Sequence, residues 1–306
     1  MANLTDRAAN RGQLLIIAAV GLAILLVVMA LALNTAVFGG VHVAGTDASL
    51  HEERAALEYQ DAIERGVGGI FPSLRSTGDY DELEAVLDQE VANVSGPVDR
   101  QFTNDGVATS TSAEPLFETS VAHNDSTREF TNKTGDSDWA LAENVSNVTS
   151  YEMEIFEDNL AQVNECATED ACFTLEVNGD WQMSVNSTSN NIFIIVNGNP
   201  ECSTSNESIQ IDLVEGTGDG DCEFPAFTEE PYSQYTIEYT NADNSSGTYN
   251  LTVDGELDDE DFYDAGSGAS PRLAAELVGA DVTIEYRSAT LHYTNEVRVW
   301  RGDEDE

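Results

Sequence analysis

An uninterrupted apolar segment at residues 14–33 constrains this chain more than any other feature of its sequence. It holds 20 residues of Leu, Ile, Val, Ala, Met and one Gly, and no charged residue occurs between Arg11 and Asp47. A helix of that length spans about 30 Å, the hydrocarbon thickness of a bilayer. Because such a helix satisfies its backbone hydrogen bonds internally, the segment predicts one transmembrane helix within residues 13–41, in contact with the lipid bilayer through residues 14–38.

The residues that flank the segment predict its direction. Arg7 and Arg11 precede it, whereas the charged residues that follow it are mostly acidic. The positive-inside rule then places residues 1–12 in the cytoplasm and the C-terminal domain outside the cell. A cleaved secretory signal is the alternative, since residues 30–32 match an A-x-A cleavage site, but such signals usually have apolar regions of about 7–15 residues.

The charge of the chain restricts its partners and its environment. The sequence has 57 acidic and 12 basic residues, a formal net charge of −45, and only one lysine, Lys133. Nucleic acid is excluded as a partner because phosphate binding needs clustered Lys and Arg. The acids alternate with Val, Ile, Tyr and Phe, which favours a folded domain over a disordered tail. The composition resembles that of proteins from extremely halophilic archaea, which work in salt that screens such charge.

Glycosylation sequons are frequent after the apolar segment. A further sequon, at Asn3, lies on the side predicted to be cytoplasmic. Together the sequons predict an exported, glycosylated surface. The nine predicted glycosylation sites are Asn93, Asn124, Asn132, Asn144, Asn147, Asn186, Asn206, Asn244 and Asn250.

Four cysteines, Cys166, Cys172, Cys202 and Cys222, all follow the apolar segment. None forms a C-x-x-C pair, so the spacing of a zinc ribbon is absent. Three pairings are possible, and the pairing Cys166–Cys172 with Cys202–Cys222 closes the shortest loops. We expect these two disulfides in an exported domain, with free buried thiols as the alternative.

A short motif precedes the apolar segment. A polar leader ends in Arg11-Gly12-Gln13 and runs directly into the helix. This arrangement resembles the signal of archaeal type IV pilins, and residues 1 to about 40 resemble haloarchaeal pilin-like membrane proteins of uncharacterised function. The resemblance implies cleavage between Gly12 and Gln13 and contact with other pilin-like subunits. Many pilins carry Glu at the fifth mature position, where this chain has Ile17.

The pattern after the segment predicts a membrane-anchored α+β fold, with a mostly antiparallel β-sandwich as its ectodomain. Apolar residues spaced as on a helix predict a helical stalk over residues 42–94, which Gly96 and Pro97 would end. Residues 95–138, rich in Ser, Thr and Asn, predict a linker with one short helix near residues 116–121. Residues 139–306 predict the sandwich and its acidic tail.

Three hairpins follow from the period-two alternation of apolar residues in that last region. Asn178-Gly179 supplies the positive φ angles that a tight turn needs between two strands. A second hairpin is predicted around residues 244–247, and a third around residues 287–289. Eight or nine such strands are typical of a sandwich.

The sequence offers little that would support catalysis. The four histidines, His42, His51, His123 and His292, lack metal-ligand spacing, and the glycines of residues 216–220 lack the strand–helix context of a nucleotide loop. Acidic runs at residues 219–221 and 258–264 leave a calcium site as an alternative to a solvated acidic face. We therefore expect no catalytic, cofactor-binding or metal site.

These observations predict a structural or interaction protein of a halophilic archaeon: a minor pilin or pilus-associated, pilin-like protein, anchored at the cell surface by a single span. An uncleaved, signal-anchored envelope glycoprotein that serves a membrane complex is the alternative. An ectoenzyme is a third class, supported only by the abundance of carboxylates.

Overall fold

The computed structural model describes residues 48–74, 80–162, 172–188, 191–229 and 232–301. These residues form two α-helices and many β-strands, and those from Ala55 onward belong to one compact unit. The helices are α1 (Ala48–Gly68) and α2 (Tyr80–Asn104). The strands are β1 (Ala108–His123), β2 (Trp139–Val145), β3 (Asn147–Phe156), β4 (Phe173–Val177), β5 (Trp181–Thr188), β6 (Asn191–Val196), β7 (Asn199–Thr204), β8 (Ser208–Asp212), β9 (Thr217–Gly218), β10 (Cys222–Glu223), β11 (Tyr235–Thr240), β12 (Gly247–Asp254), β13 (Tyr263–Asp264), β14 (Arg272–Arg287) and β15 (His292–Trp300).

The strands form two sheets that share one hydrophobic core. The nine-stranded sheet has the order β10-β9-β8-β3-β12-β1-β14-β13, with β15 also paired to β14. The six-stranded sheet has the order β2-β11-β4-β5-β6-β7. Side chains from both sheets, such as Tyr151, Leu251, Leu175 and Ile237, are buried in this core. The mostly antiparallel arrangement is consistent with the predicted β-sandwich.

The two longest strands, β1 and β14, also reach a second core. Their register shifts at Leu116 and Phe117, which face Gly279 and Leu277, so the pair bends there. At one end of the pair, Val121 and Leu273 are buried in the sandwich core. From Phe117 and Ala275 toward the other end, the pair packs in a core that it shares with the two helices, where Val282 and Ile284 are buried.

The two helices pack against each other in an antiparallel arrangement. The Tyr59 ring of α1 meets the Phe102 ring of α2, with centroids 5.2 Å apart, and a Cβ added to Gly66 would lie 2.2 Å from Val94 Cγ1. Helix α1 buries Tyr59 and Ile63, whereas Leu57 is 52% exposed.

The prediction that α2 ends before Pro97 is wrong. The helix continues through Pro97 to Asn104. Proline removes one hydrogen bond and costs about 3 kcal/mol inside a helix. Packing of the last turns offsets that penalty, because Phe102 contacts Tyr59 and Tyr286, and Asp99 accepts hydrogen bonds from Tyr59 and Thr109.

The predicted linker at residues 95–138 is also wrong. Its middle part is β1, which pairs with β14 along most of its length, and residues 116–121 are strand rather than helix. The following loop is fixed as well: Lys133 N donates to Asp261 O at 2.9 Å, and Tyr263 OH donates to Lys133 O at 3.2 Å. The β-domain therefore begins at Ala108, before the predicted boundary at residue 139.

Two of the three predicted hairpins are confirmed. Strands β4 and β5 pair across Asn178 and Gly179, whose φ angles are 55° and 75°, and β14 pairs with β15. The hairpin predicted around residues 244–247 is wrong, because β11 belongs to the six-stranded sheet and β12 to the nine-stranded sheet. Gly247 marks the crossing: its φ is 154°, and an added Cβ would lie 1.9 Å from Glu154 O.

Candidate functional site

The predicted processing and anchoring elements lie outside the described residues. These elements are Gly12, Gln13 and the apolar segment at residues 14–33. Within the part of the chain that the structure describes, neither helix combines the length and the apolar character needed to cross a membrane.

The disulfide Cys202–Cys222 is confirmed. The two Cα atoms are 5.4 Å apart, and the bond joins β7 of the six-stranded sheet to β10 of the nine-stranded sheet. Cys172 is also disulfide-bonded, and its predicted partner Cys166 lies outside the described residues. The confirmed bond therefore ties the two layers of the sandwich together at one end.

The predicted glycosylation sites differ in accessibility. Asn132 and Asn186 are buried. The Asn132 Nδ2 donates to Asp136 Oδ2 at 3.0 Å and to Asp261 Oδ1 at 2.6 Å, so a glycan bonded to this nitrogen would break contacts that hold the loop. The exposed or half-buried sites are Asn93, Asn124, Asn144, Asn147, Asn206, Asn244 and Asn250.

His123 is part of the core. It ends β1, stacks on Tyr249 with ring centroids 5.1 Å apart, and meets the edge of Phe130 at 5.5 Å. Its Nδ1 has no hydrogen-bond partner, and its Nε2 lies 3.4 Å from Arg128 O. Burial lowers the pKa of this imidazole to about 4, which makes His123 a neutral packing element at physiological pH.

The remaining histidines occupy different places. His51 lies on an exposed part of α1, His292 is exposed on β15 beside Arg287, and His42 lies outside the described residues. Over the described ranges, no three His, Cys, Asp or Glu side chains are arranged to hold a metal ion.

A cleft of about 430 Å³ lies on the outer face of the nine-stranded sheet. Glu152 of β3 stands opposite both Asp212 of β8 and Asn250 of β12, and Glu154 occupies the next row. Ser208 Oγ donates to Glu154 Oε1 at 2.9 Å. The carboxylates of Glu152, Glu154 and Asp212 give the cleft a negative potential, which disfavours the binding of anionic ligands.

A polar contact fixes the helices to β1. Tyr59 OH donates to Asp99 Oδ1 at 2.6 Å, Thr109 Oγ1 donates to the same oxygen at 2.7 Å, and Thr111 Oγ1 lies 2.9 Å from the tyrosine hydroxyl. Burial, together with the Asp99 carboxylate, raises the pKa of Tyr59 to about 12. The contact joins α1, α2 and β1 without a cation.

The β14–β15 hairpin, residues 272–301, has a different charge from the rest of the chain. It contains four acidic and four basic residues, a formal charge of zero, within a chain of −45. On its outer face the Arg298 guanidinium donates from Nε and Nη2 to both carboxylate oxygens of Asp281, each at 2.7 Å. This bond lowers the pKa of Asp281. Trp300 lies on the same face and is 42% exposed, with Arg298 5.6 Å from its ring centroid.

Sequence reasoning missed this surface, although its charge balance can be counted in the sequence. The missing information was that both strands of the hairpin share one accessible face. Comparison of the chain with protein-family models, curated proteins and solved structures found no match.

Proposed function

We propose that this chain is a pilin-like structural or interaction protein of a halophilic archaeon, anchored in the cell membrane by a single span. The observation that carries the proposal is the uncharged segment of 20 apolar residues directly after Arg11-Gly12-Gln13. In this proposal the N-terminus is cytoplasmic and the β-rich domain is extracellular.

Two properties of the described domain support an extracellular location in brine. The Cys202–Cys222 disulfide links the two sheets, and such bonds persist in oxidising environments. Carboxylates stand side by side on the outer sheet face, as with Asp254, Glu118 and Glu276 across β12, β1 and β14. Like charges in that arrangement repel, and concentrated salt relieves the repulsion.

The described side chains favour contact over catalysis. His123 is sealed among aromatic rings, and the carboxylates of the outer cleft have no histidine or cysteine beside them in its lining. We therefore assign the domain the role of presenting a surface to other proteins.

One observation favours a second candidate, an uncleaved signal-anchored envelope glycoprotein that acts as an accessory subunit of a membrane complex. Ile17 stands where many pilins carry the Glu that is associated with assembly into a filament. The two candidates differ in whether the leader is removed.

Mass spectrometry of the N-terminus from the membrane fraction tests the proposal. A start at Gln13 supports pilin-like processing, and a start at Met1 or Ala2 supports the uncleaved anchor. Gly12→Val should block cleavage. Gly21→Val, the same change within the apolar segment, is the matched control and should leave cleavage intact.

Protease treatment of intact cells tests the location of the domain. We expect fragments from the exposed loops of residues 108–301 to be released into the medium. A domain that stays intact until the cells are lysed would contradict the extracellular assignment.

A further inference from the structure

Strand β15 is the long edge among the described strands that neither a bulge nor a proline interrupts. Native sheets shield their edges with short strands, bulges, proline or charged side chains. Edge strands β10 and β13 have two residues each, β2 pairs with two register shifts, β7 contains Pro200, and the free half of β1 contains Pro115. Strand β15 has nine residues, no Gly or Pro, and a regular register with β14.

The backbone direction of β15 follows from the hydrogen bonds at its two ends. Arg301 N donates to Val278 O at 2.7 Å, and Leu291 O accepts from Ser288 N at 2.8 Å. Bonding alternates along an antiparallel pair, so the odd-numbered residues of β15 bond to β14. The even-numbered residues, including Glu296 and Arg298, direct their N–H and C=O groups toward the unpaired side.

The charge of the hairpin selects the kind of partner. A cationic partner would find stronger attraction on the rest of this chain, whose net charge is −45. A second copy of the same chain is repelled by that surface and meets no net repulsion at residues 272–301, where the formal charge is zero. The hairpin also contains no sequon that a glycan would occupy.

We propose that two copies of this chain pair through β15, antiparallel, about a two-fold axis at Val297. In this register Glu296 of each copy stands opposite Arg298 of the other, and Trp300 stands opposite Thr294. Moving the axis to Glu296 would oppose two carboxylates, which disfavours that alternative. Arg298 has donors left for the new carboxylate, because its bonds to Asp281 use Nε and Nη2 but not Nη1.

In each copy, β15, β14 and the first half of β1 form a three-stranded part of the larger sheet. The pairing joins these two parts into one continuous sheet. Helix α1 lies against the inner face of β15, where Asn295 Nδ2 donates to Gln60 Oε1 at 3.1 Å. The two-fold axis is perpendicular to the sheet, so the helices of both copies lie on the same face of the joined sheet. The inference deepens the proposed function by naming the subunit contact as homotypic.

Cysteine cross-linking of the full-length chain in membranes tests the register. In an antiparallel pair, Val297 would face its own counterpart at a Cα separation of about 4.5 Å, within disulfide range. Val297→Cys should therefore give a covalent dimer on mild oxidation. Thr294→Cys is the matched control, since its counterpart would lie about 20 Å away, six residues along the strand.

A charge swap in the Val297→Cys background tests the partner. Arg298→Glu should lower the cross-linked fraction by about tenfold, because each strand then presents only carboxylates. Adding Glu296→Arg should restore cross-linking. Both variants carry Glu at residue 298, so both lose the same bond to Asp281 within one copy. A restored cross-link therefore reports the contact between copies and not a change in the fold of the single copy.

Equal cross-linking of Val297→Cys and Thr294→Cys, or none in either, would overturn the pairing. Should Val297→Cys fail to fold, hydrogen exchange of the unaltered chain decides: protection of the amides of residues 294, 296 and 298 is expected, and its loss in Arg298→Glu. Fast exchange at these amides in the unaltered chain would also overturn the proposal. A start at Met1 with intact cross-linking would contradict the processing alone, and a start at Gln13 without cross-linking would contradict the pairing alone.

Discussion

His123 shows how one buried side chain makes a fold dependent on pH. Its pKa falls from 6.5 to about 4 because the aromatic core excludes water. The hydrogen bond to the Arg128 carbonyl opposes this fall, the positive charge of Arg128 adds to it, and Asp125 opposes it. The unfolded chain therefore takes up a proton at a higher pH than the folded chain. The contribution of His123 to stability is complete above about pH 6.5 and is lost as the pH falls toward about 4.

We expect the free energy of unfolding of the wild-type chain to lose about 2–3 kcal/mol through His123 between about pH 7 and pH 4.5. His123→Phe should remove this loss and retain the stacking on Tyr249 and Phe130. Urea unfolding at constant high salt measures the difference. His292→Gln, at an exposed site, is the control and should leave the loss in place. An unchanged pH dependence in His123→Phe would contradict the assignment.

At the scale of elements, the contact between the two helices depends on Gly66. A methyl group there would lie 2.2 Å from Val94 Cγ1, so either the Val94 side chain would have to shift or α1 and α2 would have to separate. We expect Gly66→Ala to lower the free energy of unfolding by about 1–3 kcal/mol. Gly68→Ala, in the same helix, is the control because its Cβ would meet Val299 Cγ1 at an ordinary 3.6 Å. Equal effects of the two changes would contradict the close approach.

One disulfide reinforces the shared core by linking the two sheets covalently. Cys202 and Cys222 are separated by 20 residues, and a loop of that size gives about 3 kcal/mol of stabilisation in the chain-entropy account. We expect Cys202→Ser with Cys222→Ser to lose about that much in chemical unfolding. Either single change should lose nearly as much, because both break the same bond. If the double variant lost the sum of the two single losses of stability, the two changes would not act through the same bond.

The elements that the sequence predicted correctly are those with a local cause. Asn178 and Gly179 supply the turn of the β4–β5 hairpin themselves, so the pattern was sufficient. Pro97 misled the prediction because the packing of Phe102 and Asp99 overrides a local preference. Strand β1 was missed because its first half is mostly Ser, Thr and Ala without an apolar alternation, and its strand character comes from pairing with β14.

The outer face of the β14–β15 hairpin likewise depends on long-range strand pairing. The charge balance of residues 272–301 can be read from the sequence, and the β14–β15 hairpin was predicted. That β15 is an edge strand, with Arg298 bonded to Asp281 on one open face, follows only from the order of strands in the sheet.

For the whole molecule, the main physical constraint is the repulsion among carboxylates. Glu118 illustrates it: burial raises the pKa of this carboxyl, and its neighbours Asp254 and Glu276 raise it further. Asp281 is the opposite case, since Arg298 lowers its pKa. A chain of −45 has few such cations to distribute, so we expect its stability to depend on ions in solution.

We expect the free energy of unfolding to rise as salt increases from about 0.1 M to about 1 M, since the screening length falls from about 10 Å to about 3 Å. Glu118→Gln removes the central carboxylate of the row and should stabilise the chain by about 0.5 kcal/mol at the lower salt concentration, with less gain at the higher one. Asp281→Asn is the matched control, because it removes a carboxylate that has a cation partner and should destabilise the chain most at low salt. Urea unfolding at several salt concentrations separates the two variants. A gain from Glu118→Gln that is independent of salt would mean that packing, and not charge repulsion, limits this region of the sheet.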